Sequence, residues 1–128
     1  MKTLVTECDS LDIRQLAHET GLCHGTTYQW GWYHSNGTIK GVIGIAVLRE
    51  RLLLVSKQAE THIKEFVPIT YSTGSGGGRR PWFQCPACRR RVAILYKHGV
   101  RFRCRRCWGL VYPSQYPQIA ARSCGKPL

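Results

Sequence analysis

Two closely spaced cysteine pairs decide the fold of the second half of the chain: Cys85-Pro-Ala-Cys88 and, fifteen residues later, Cys104-Arg-Arg-Cys107. Two residues between the cysteines let a tight turn aim both thiolates at one ion, with backbone N–H groups pointing at the sulfur atoms. The fifteen intervening residues suffice for two short strands and a turn, which would bring the second pair opposite the first. The spacing therefore predicts one structural Zn²⁺ in a closed tetrahedral four-cysteine site of the zinc-ribbon type. A redox dithiol or an iron–sulfur site is the alternative.

The residues around these pairs have the pattern of short strands. Residues 91–96 are rich in strand-forming side chains, and a Lys-His-Gly turn follows them. Residues 100–104 alternate between apolar and basic or polar types, so Arg101 and Arg103 are expected to project from one face. Residues 109–112 are a candidate for a third strand. We therefore expect a hairpin between the cysteine pairs.

The net charge of the chain lies entirely in its second half. Residues 1–65 contain seven Lys or Arg and seven Asp or Glu, whereas residues 66–128 contain twelve Lys or Arg and no acid, which accounts for the full +12. Ten of those twelve residues are arginines. This asymmetry favours an anionic partner, nucleic acid before lipid. A basic surface kept for solubility is the other interpretation, although solubility does not require the absence of every acid.

The arginines near the cysteine pairs are the predicted nucleic-acid-binding residues. Guanidinium groups bind phosphate oxygens with two parallel hydrogen bonds and stack on bases. Aromatic residues such as Trp82 and Tyr96 are interleaved with them and are candidates for base stacking. Four thiolates and one Zn²⁺ add a charge of only −2, so compensation of the metal site does not account for the arginines. The predicted binding residues are Arg79, Arg80, Arg89, Arg90, Arg91, Arg101, Arg103, Arg105 and Arg106.

A protein partner is the alternative function. In this hypothesis the arginines contact an acidic surface of a host enzyme or defence complex and inhibit or redirect it. The neutral half of the chain, with Trp30 and Trp32, would then supply an apolar anchor. The same two tryptophans also fit the core or the face of a sheet, which is the interpretation we favour.

Catalysis is not expected. Four bound thiolates leave no coordination position open for water. Residues 74–78 lack the Lys-Ser/Thr that follows the glycines of a nucleotide-binding loop, and no carboxylate side chain occurs after Glu65. His18-Glu19 lacks the second histidine of a zincin motif, because that position is Leu22. We therefore predict a non-enzymatic binding protein.

The first half of the chain predicts a helix followed by strands. Ser10 is the expected N-cap of a helix that ends near Gly21. Residues 28–32 then place aromatic side chains at every second position, which is typical of a strand. A helix-turn-helix is the alternative, but its second helix, residues 24–33, would contain two glycines and two threonines. We therefore favour a strand there.

Three more strands are expected before the glycine-rich segment. Asn36-Gly37 is a hairpin turn of the common Asn-Gly type. Residues 39–48 and 52–57 have the composition of two further strands. Residues 63–71 form the last predicted strand, and Pro68 favours an edge position because proline cannot donate to a strand ladder. The pattern predicts an antiparallel meander.

The segments together give the expected organisation. The fold class is α+β and mostly β: an N-terminal helix plus an antiparallel β-meander, followed by a four-cysteine zinc ribbon. We expect a neutral region at residues 1–73, a Gly/Ser linker at 74–78, the ribbon at 79–115 and a basic tail at 116–128. No stretch approaches the ~20 apolar residues of a membrane span, and the first residues lack the pattern of a secretory signal. We therefore expect a cytoplasmic protein without a membrane partner.

The second half of the chain resembles a family of small, largely uncharacterised bacterial proteins often carried by phages and integrated elements. The stretches that match are Gly77-Gly-Arg-Arg-Pro-Trp-Phe-Gln-Cys-Pro-Ala-Cys88, Arg90-Arg-Val92, Leu95-Tyr96, Phe102-Arg-Cys-Arg-Arg-Cys107 and Leu110-Val-Tyr-Pro-Ser-Gln115. In that family a strand-rich segment with a Trp-x-Trp pair precedes the ribbon, and Trp30-Gly-Trp32 occupies that place here. The resemblance implies a bacterial or phage origin and structural zinc, but no biochemical activity. Arg89 departs from the glycine that ribbons usually have after the second cysteine.

Overall fold

The computed structural model of the chain describes residues 8–74, 76–111 and 126–127. In chain order the elements are β1 (Asp9–Asp12), α1 (Ile13–Thr20), β2 (Thr27–Tyr33), β3 (Ile39–Leu48), β4 (Arg51–Gln58), β5 (Thr61–Thr73), β6 (Arg79–Gln84), β7 (Arg91–Val92), β8 (Ile94–His98), β9 (Arg101–Arg103), α2 (Arg105–Trp108) and β10 (Lys126–Pro127). The fold is mostly antiparallel β with two short helices and a four-cysteine cluster in the second half, which confirms the predicted fold class. Neither helix in the described ranges has the length and hydropathy needed to cross a membrane.

The larger sheet has the strand order β10-β2-β3-β4-β5-β6-β7, and each neighbouring pair is antiparallel. Strands β2 to β5 confirm the predicted meander, and β3 has the bounds predicted from its composition. Side chains at every second position of β3, namely Ile43, Ile45 and Val47, are buried, as expected for a sheet with one face toward the core. Because Thr27–Tyr33 is a strand, the helix-turn-helix alternative is wrong.

Strand β5 explains how a long strand accommodates Pro68. Its first part, up to Pro68, pairs with β4, and its second part, from Ile69, pairs with β6. The expected edge position is therefore wrong for the strand as a whole, since β5 lies between two neighbours. Proline occupies the position where one partner strand ends and the next begins. The missing N–H costs least there, because no continuous ladder passes through that residue.

A smaller sheet of order β1-β8-β9 contains the predicted hairpin between the cysteine pairs. The chain bends at Ala93, so β7 belongs to the larger sheet and β8 to the smaller one. The third strand of the smaller sheet is β1, whose Ser10 and Leu11 pair with Tyr96 and Leu95. Residues 109–111 form no strand beyond a single bridge at residue 111, and position 112 lies outside the described residues. A strand from the opposite end of the chain thus takes the place predicted for residues 109–112.

Helix α1 begins three residues after the predicted N-cap. Asp12, not Ser10, is the N-cap, and its side chain accepts a hydrogen bond from the backbone N–H of Arg14 at 2.9 Å. Ser10 is fully buried in β1 because that segment pairs with β8. Gly21 ends the helix in the left-handed conformation, with φ of 67°, as predicted. The helix is therefore limited to Ile13–Thr20, with a side-chain cap at its start and a left-handed glycine at its end.

One cluster of buried side chains contains residues from both halves of the chain. Trp30 and Trp32 are fully buried in it, which confirms their predicted core position. The cluster also contains Phe83 and Phe102, which follow the glycine-rich segment. Residues 74–78, predicted as a linker, connect two paired strands, and the N–H of Gly74 donates to the carbonyl of Gly78 at 2.6 Å. The strands on either side of the segment are therefore neighbours in the larger sheet.

Candidate metal centre

The four predicted metal ligands converge on one point. The Sγ atoms of Cys85, Cys88, Cys104 and Cys107 all lie within 4.8 Å of one another. Three of the separations are short: 3.8 Å from Cys85 to Cys107, 3.6 Å from Cys88 to Cys104 and 3.6 Å from Cys104 to Cys107. Cys85 and Cys104 are buried, whereas Cys88 and Cys107 are exposed. The cluster can hold one metal ion at the surface of the molecule, with its inner half in the core.

The backbone of the first knuckle, residues 85–90, explains how Cys85 and Cys88 point the same way. The N–H of Arg89 donates to the carbonyl of Cys85 at 2.8 Å, and the N–H of Cys85 donates to the carbonyl of Arg90 at 2.9 Å. This closed turn requires Arg89 to adopt the left-handed conformation, with φ of 64°. A residue other than glycine is disfavoured in that conformation. The knuckle therefore forms with arginine at the position where ribbons usually have glycine, at a cost in backbone strain.

The second knuckle uses a different turn. Cys104 precedes the one-turn helix α2, and Gly109 ends that helix in the left-handed conformation, with φ of 67°. The backbone N–H of Cys104 also donates to the Sγ of Cys85 at 3.3 Å. N–H groups that point at cysteine sulfur stabilise the thiolate form that binds metals. The second knuckle thus provides two of the four thiols and donates a hydrogen bond to a third.

The pKa values of the thiols show why the cluster suits a cation. The backbone N–H of Arg90 lowers the pKa of Cys88 to about 7. Desolvation, together with the neighbouring thiols, raises the pKa of Cys107 to about 12, and desolvation also raises the pKa of Cys104. The Cys88 thiol therefore ionises near neutral pH. Ionisation of Cys107 is disfavoured by desolvation and by the thiols beside it. A bound cation removes that opposition, so metal binding and proton release are coupled.

Glu65 is a buried carboxylate beside β9 that the sequence pattern does not single out. It is 7% exposed, and it accepts hydrogen bonds from the backbone N–H of Phe102 at 2.9 Å and from the guanidinium of Arg103 at 2.6 Å. Arg101 lies 3.6 Å from the same carboxylate. The sequence shows that Glu65 is the last acidic residue of the chain. It does not show the pairing of Glu65, because the partner strand is 37 residues away.

The predicted arginines divide into three groups. Arg101 and Arg103 lie beside Glu65, and Arg103 is only 22% exposed, so part of their charge is neutralised. Arg79 and Arg80 lie on β6, where their guanidinium carbons stack over Tyr71 and Trp82 at 4.3 and 3.8 Å from the ring centroids. The third group surrounds the two knuckles and consists of Arg89, Arg90, Arg91, Arg105 and Arg106.

Four members of the third group line one cleft of about 510 Å³ next to the cysteine cluster. Arg90 and Arg91 line it from the first knuckle and β7, and Arg105 and Arg106 line it from α2. Trp82 lines it from β6. A second, smaller depression of about 320 Å³ lies over β2, β3 and β4, and no Lys, Arg, Asp or Glu lines it. The basic cleft is therefore the candidate binding site.

Comparison of the chain with protein-family models, with curated proteins and with solved structures gives no match.

Proposed function

We propose that this protein is a non-enzymatic zinc-ribbon protein that binds nucleic acid through the arginines around its metal centre. The observation behind the proposal is the basic cleft, in which four arginines and Trp82 lie together beside the cysteine cluster. Guanidinium groups next to an aromatic ring suit a ligand that has both phosphates and bases. The fold alone does not select this function, so the site has to support it.

The donor set supports zinc as the metal. A tetrahedral ion with Zn–S bonds of ~2.3 Å places its sulfur ligands ~3.8 Å apart. The three short separations between the cysteine sulfurs are 3.6 to 3.8 Å. Four cysteines with no other donor are the ligand set of structural zinc sites, which leave no position for a substrate. In the proposal, the ion fixes the two knuckles and so positions the arginines that extend from them.

The arginines on β6 and around the knuckles support an anionic ligand. Within the described part of the chain, six of the predicted arginines form no ion pair: Arg79, Arg80, Arg89, Arg90, Arg91 and Arg106. The carboxylate of Glu65 is directed to Arg101 and Arg103 instead. Six guanidinium groups without a carboxylate partner repel one another, and phosphates relieve that repulsion.

The resemblance of residues 77–115 to phage-borne bacterial proteins extends the proposal to origin and compartment. We place the protein in the cytoplasm of a bacterial cell or an infected host, encoded by a phage or another mobile element. A disulfide-poor, metal-binding use of cysteine is what a reducing compartment favours. Expression from the native locus, followed by cell fractionation, tests this part of the proposal. Recovery of the protein in a secreted fraction would refute the compartment.

A salt series tests nucleic-acid binding directly. Fluorescence anisotropy of zinc-loaded protein with labelled single-stranded DNA, duplex DNA and RNA gives the affinity at each salt concentration. If about six phosphates are contacted on a duplex, log affinity falls against log salt with a slope of about −5. Binding that persists at physiological salt, with a slope of several units, supports the proposal. If the protein binds none of the three nucleic acids, the proposal is wrong.

An acidic protein surface is the second candidate partner, and two exposed aromatic residues favour it. Phe66 and Tyr71 are 47% and 39% exposed, and Arg51 and Arg79 stack over them. Paired arginine and aromatic side chains are common where protein interfaces gain most of their binding energy. The buried Trp30 and Trp32 cannot supply the anchor that this hypothesis first assigned to them. A pull-down from nuclease-treated bacterial lysate should retain an acidic protein if this candidate is correct.

A further inference from the structure

The basic cleft has an excess of positive charge that the metal centre only partly offsets. Four arginines line it, and Cys104 of the cysteine cluster is also one of its lining residues. Four thiolates with one Zn²⁺ have a net charge of −2, so about half of the cleft's charge remains. Among the described residues, no acidic side chain lines the cleft. An anionic ligand of about two charges is therefore complementary to it.

The cleft also has an aromatic and apolar part. Val92, Ala93 and Ile94 are among its lining residues, at the bend between β7 and β8. The indole N–H of Trp82 donates to the Oγ of Ser72 at 2.8 Å, and Arg80 covers a face of the ring. The ring is therefore held in one orientation before any ligand arrives. A planar base against a fixed aromatic ring loses little ordering entropy on binding.

The dimensions of the cleft favour a single strand. Its volume of about 510 Å³ falls within the ~300–1,000 Å³ of sites that enclose small ligands. The bases of a duplex are stacked inside the helix, whereas the unstacked bases of a single strand can turn outward onto an aromatic side chain. A duplex can place only its backbone against the rim of such a cleft. Stacking inside the cleft therefore distinguishes the two kinds of nucleic acid.

We propose that the cleft between Trp82 and the two knuckles holds a nucleotide of single-stranded nucleic acid, with its base against Trp82 and its phosphates against Arg91 and Arg106. This inference rests on the proposed function and narrows it from nucleic acid in general to an unpaired strand. Arg90 and Arg105 complete the lining of the same cleft. The arginines set the affinity for the phosphates, and the ring sets the preference for unpaired bases.

Substitution of Trp82 tests the preference. Anisotropy is measured with a labelled strand of about 12 nucleotides and with its duplex, at one salt concentration. We expect Trp82→Leu to weaken single-strand binding about tenfold or more and to leave duplex binding nearly unchanged, since stacking contributes ~1–3 kcal/mol per base. Trp82→Phe keeps an aromatic ring and should restore most of the affinity. Circular dichroism and zinc content confirm that each variant is folded.

The controls separate this inference from the broader proposal. Arg91→Ala and Arg106→Ala should weaken binding of the strand severalfold, whereas Arg49→Ala, an exposed arginine outside the cleft, should not. If the wild-type protein binds both substrates and folded Trp82→Leu weakens neither or both equally, the cleft inference fails and nucleic-acid binding stands. Competition by a free mononucleotide as effective as that by the strand would also overturn it. If the wild-type protein binds neither substrate, both proposals fail.

Discussion

At the scale of single residues, Arg89 shows a conflict between the turn and the side chain. Its φ of 64° is required by the hydrogen bonds that close the first knuckle, and a side chain in that conformation costs ~1–2 kcal/mol. We expect Arg89→Gly to raise the free energy of unfolding of zinc-loaded protein by about 1 kcal/mol relative to Arg89→Ala. Both variants lose the same charge, so denaturant titrations of the two isolate the backbone effect. Equal stability of the two variants would show that the turn is not strained.

Glu65 connects β5 to β9 through a backbone N–H and a guanidinium group. Glu65→Gln keeps the size of the side chain and removes its charge, so it leaves Arg103 without a charged partner. We expect the free energy of unfolding to fall by about 2 kcal/mol. Affinity for nucleic acid should rise at the same time, because two arginines are no longer neutralised. Chemical denaturation and anisotropy of the same preparation measure both effects.

The control for this substitution is Glu60→Gln, which makes the same change of charge at an exposed residue of the turn between β4 and β5. It should leave stability within about 0.5 kcal/mol of the wild type. If Glu60→Gln raises the affinity as much as Glu65→Gln does, the gain reflects net charge and not the release of Arg101 and Arg103. A stable Glu65→Gln variant would contradict the structural role of the carboxylate.

At the scale of elements, the sequence predicts well those features that depend only on residues close together in the chain. The period of two in β2, the strand-forming composition of β3 and the Cys-x-x-Cys spacing depend on neighbouring residues, and all three agree with the structure. The pairing of β1 with β8 could not be predicted, because β1 is Asp-Ser-Leu-Asp, a mostly polar stretch before a helix, and its partner residues lie 82 to 88 positions away along the chain. The edge position expected from Pro68 is wrong for a related reason. Proline excludes a continuous ladder, but it does not reveal that the partner strand changes there.

We expect removal of the metal to destabilise β1, because β1 pairs with β8. β8 and β9 lie between the two knuckles, and β1 pairs with β8. We therefore expect chelation of zinc to accelerate amide hydrogen exchange most in β8, β9 and β1, and less in β3 and β4. Exchange measured by mass spectrometry on zinc-loaded and chelator-treated protein checks this order. Unchanged protection of β1 would show that its pairing with β8 does not depend on the metal.

At the scale of the whole molecule, the two halves differ in charge but share their core. Trp32 of β2 lies 6.2 Å from Phe102 of β9 between ring centroids, and its indole N–H donates to the carbonyl of Ser10 in β1 at 2.8 Å. Residues 74–78 separate a neutral sequence from a basic one, and side chains from both sides of them belong to one buried cluster. Cys85 and Cys104, one from each knuckle, belong to the same buried cluster as Trp30 and Trp32, so the knuckles that carry the arginines are anchored in a close-packed core.

A shared core predicts one unfolding transition for both halves. With Co²⁺ in place of zinc, thiolate absorption reports the metal centre and tryptophan fluorescence reports the core, and we expect the two to change at the same temperature. Leu11→Ala removes a fully buried side chain of β1 and should lower the free energy of unfolding by about 2–5 kcal/mol, moving both signals together. Ile39→Ala, at a side chain that is 57% exposed, should move neither signal. Two separate transitions, or a Leu11→Ala shift confined to the fluorescence, would mean that the halves unfold independently and that residues 74–78 divide them after all.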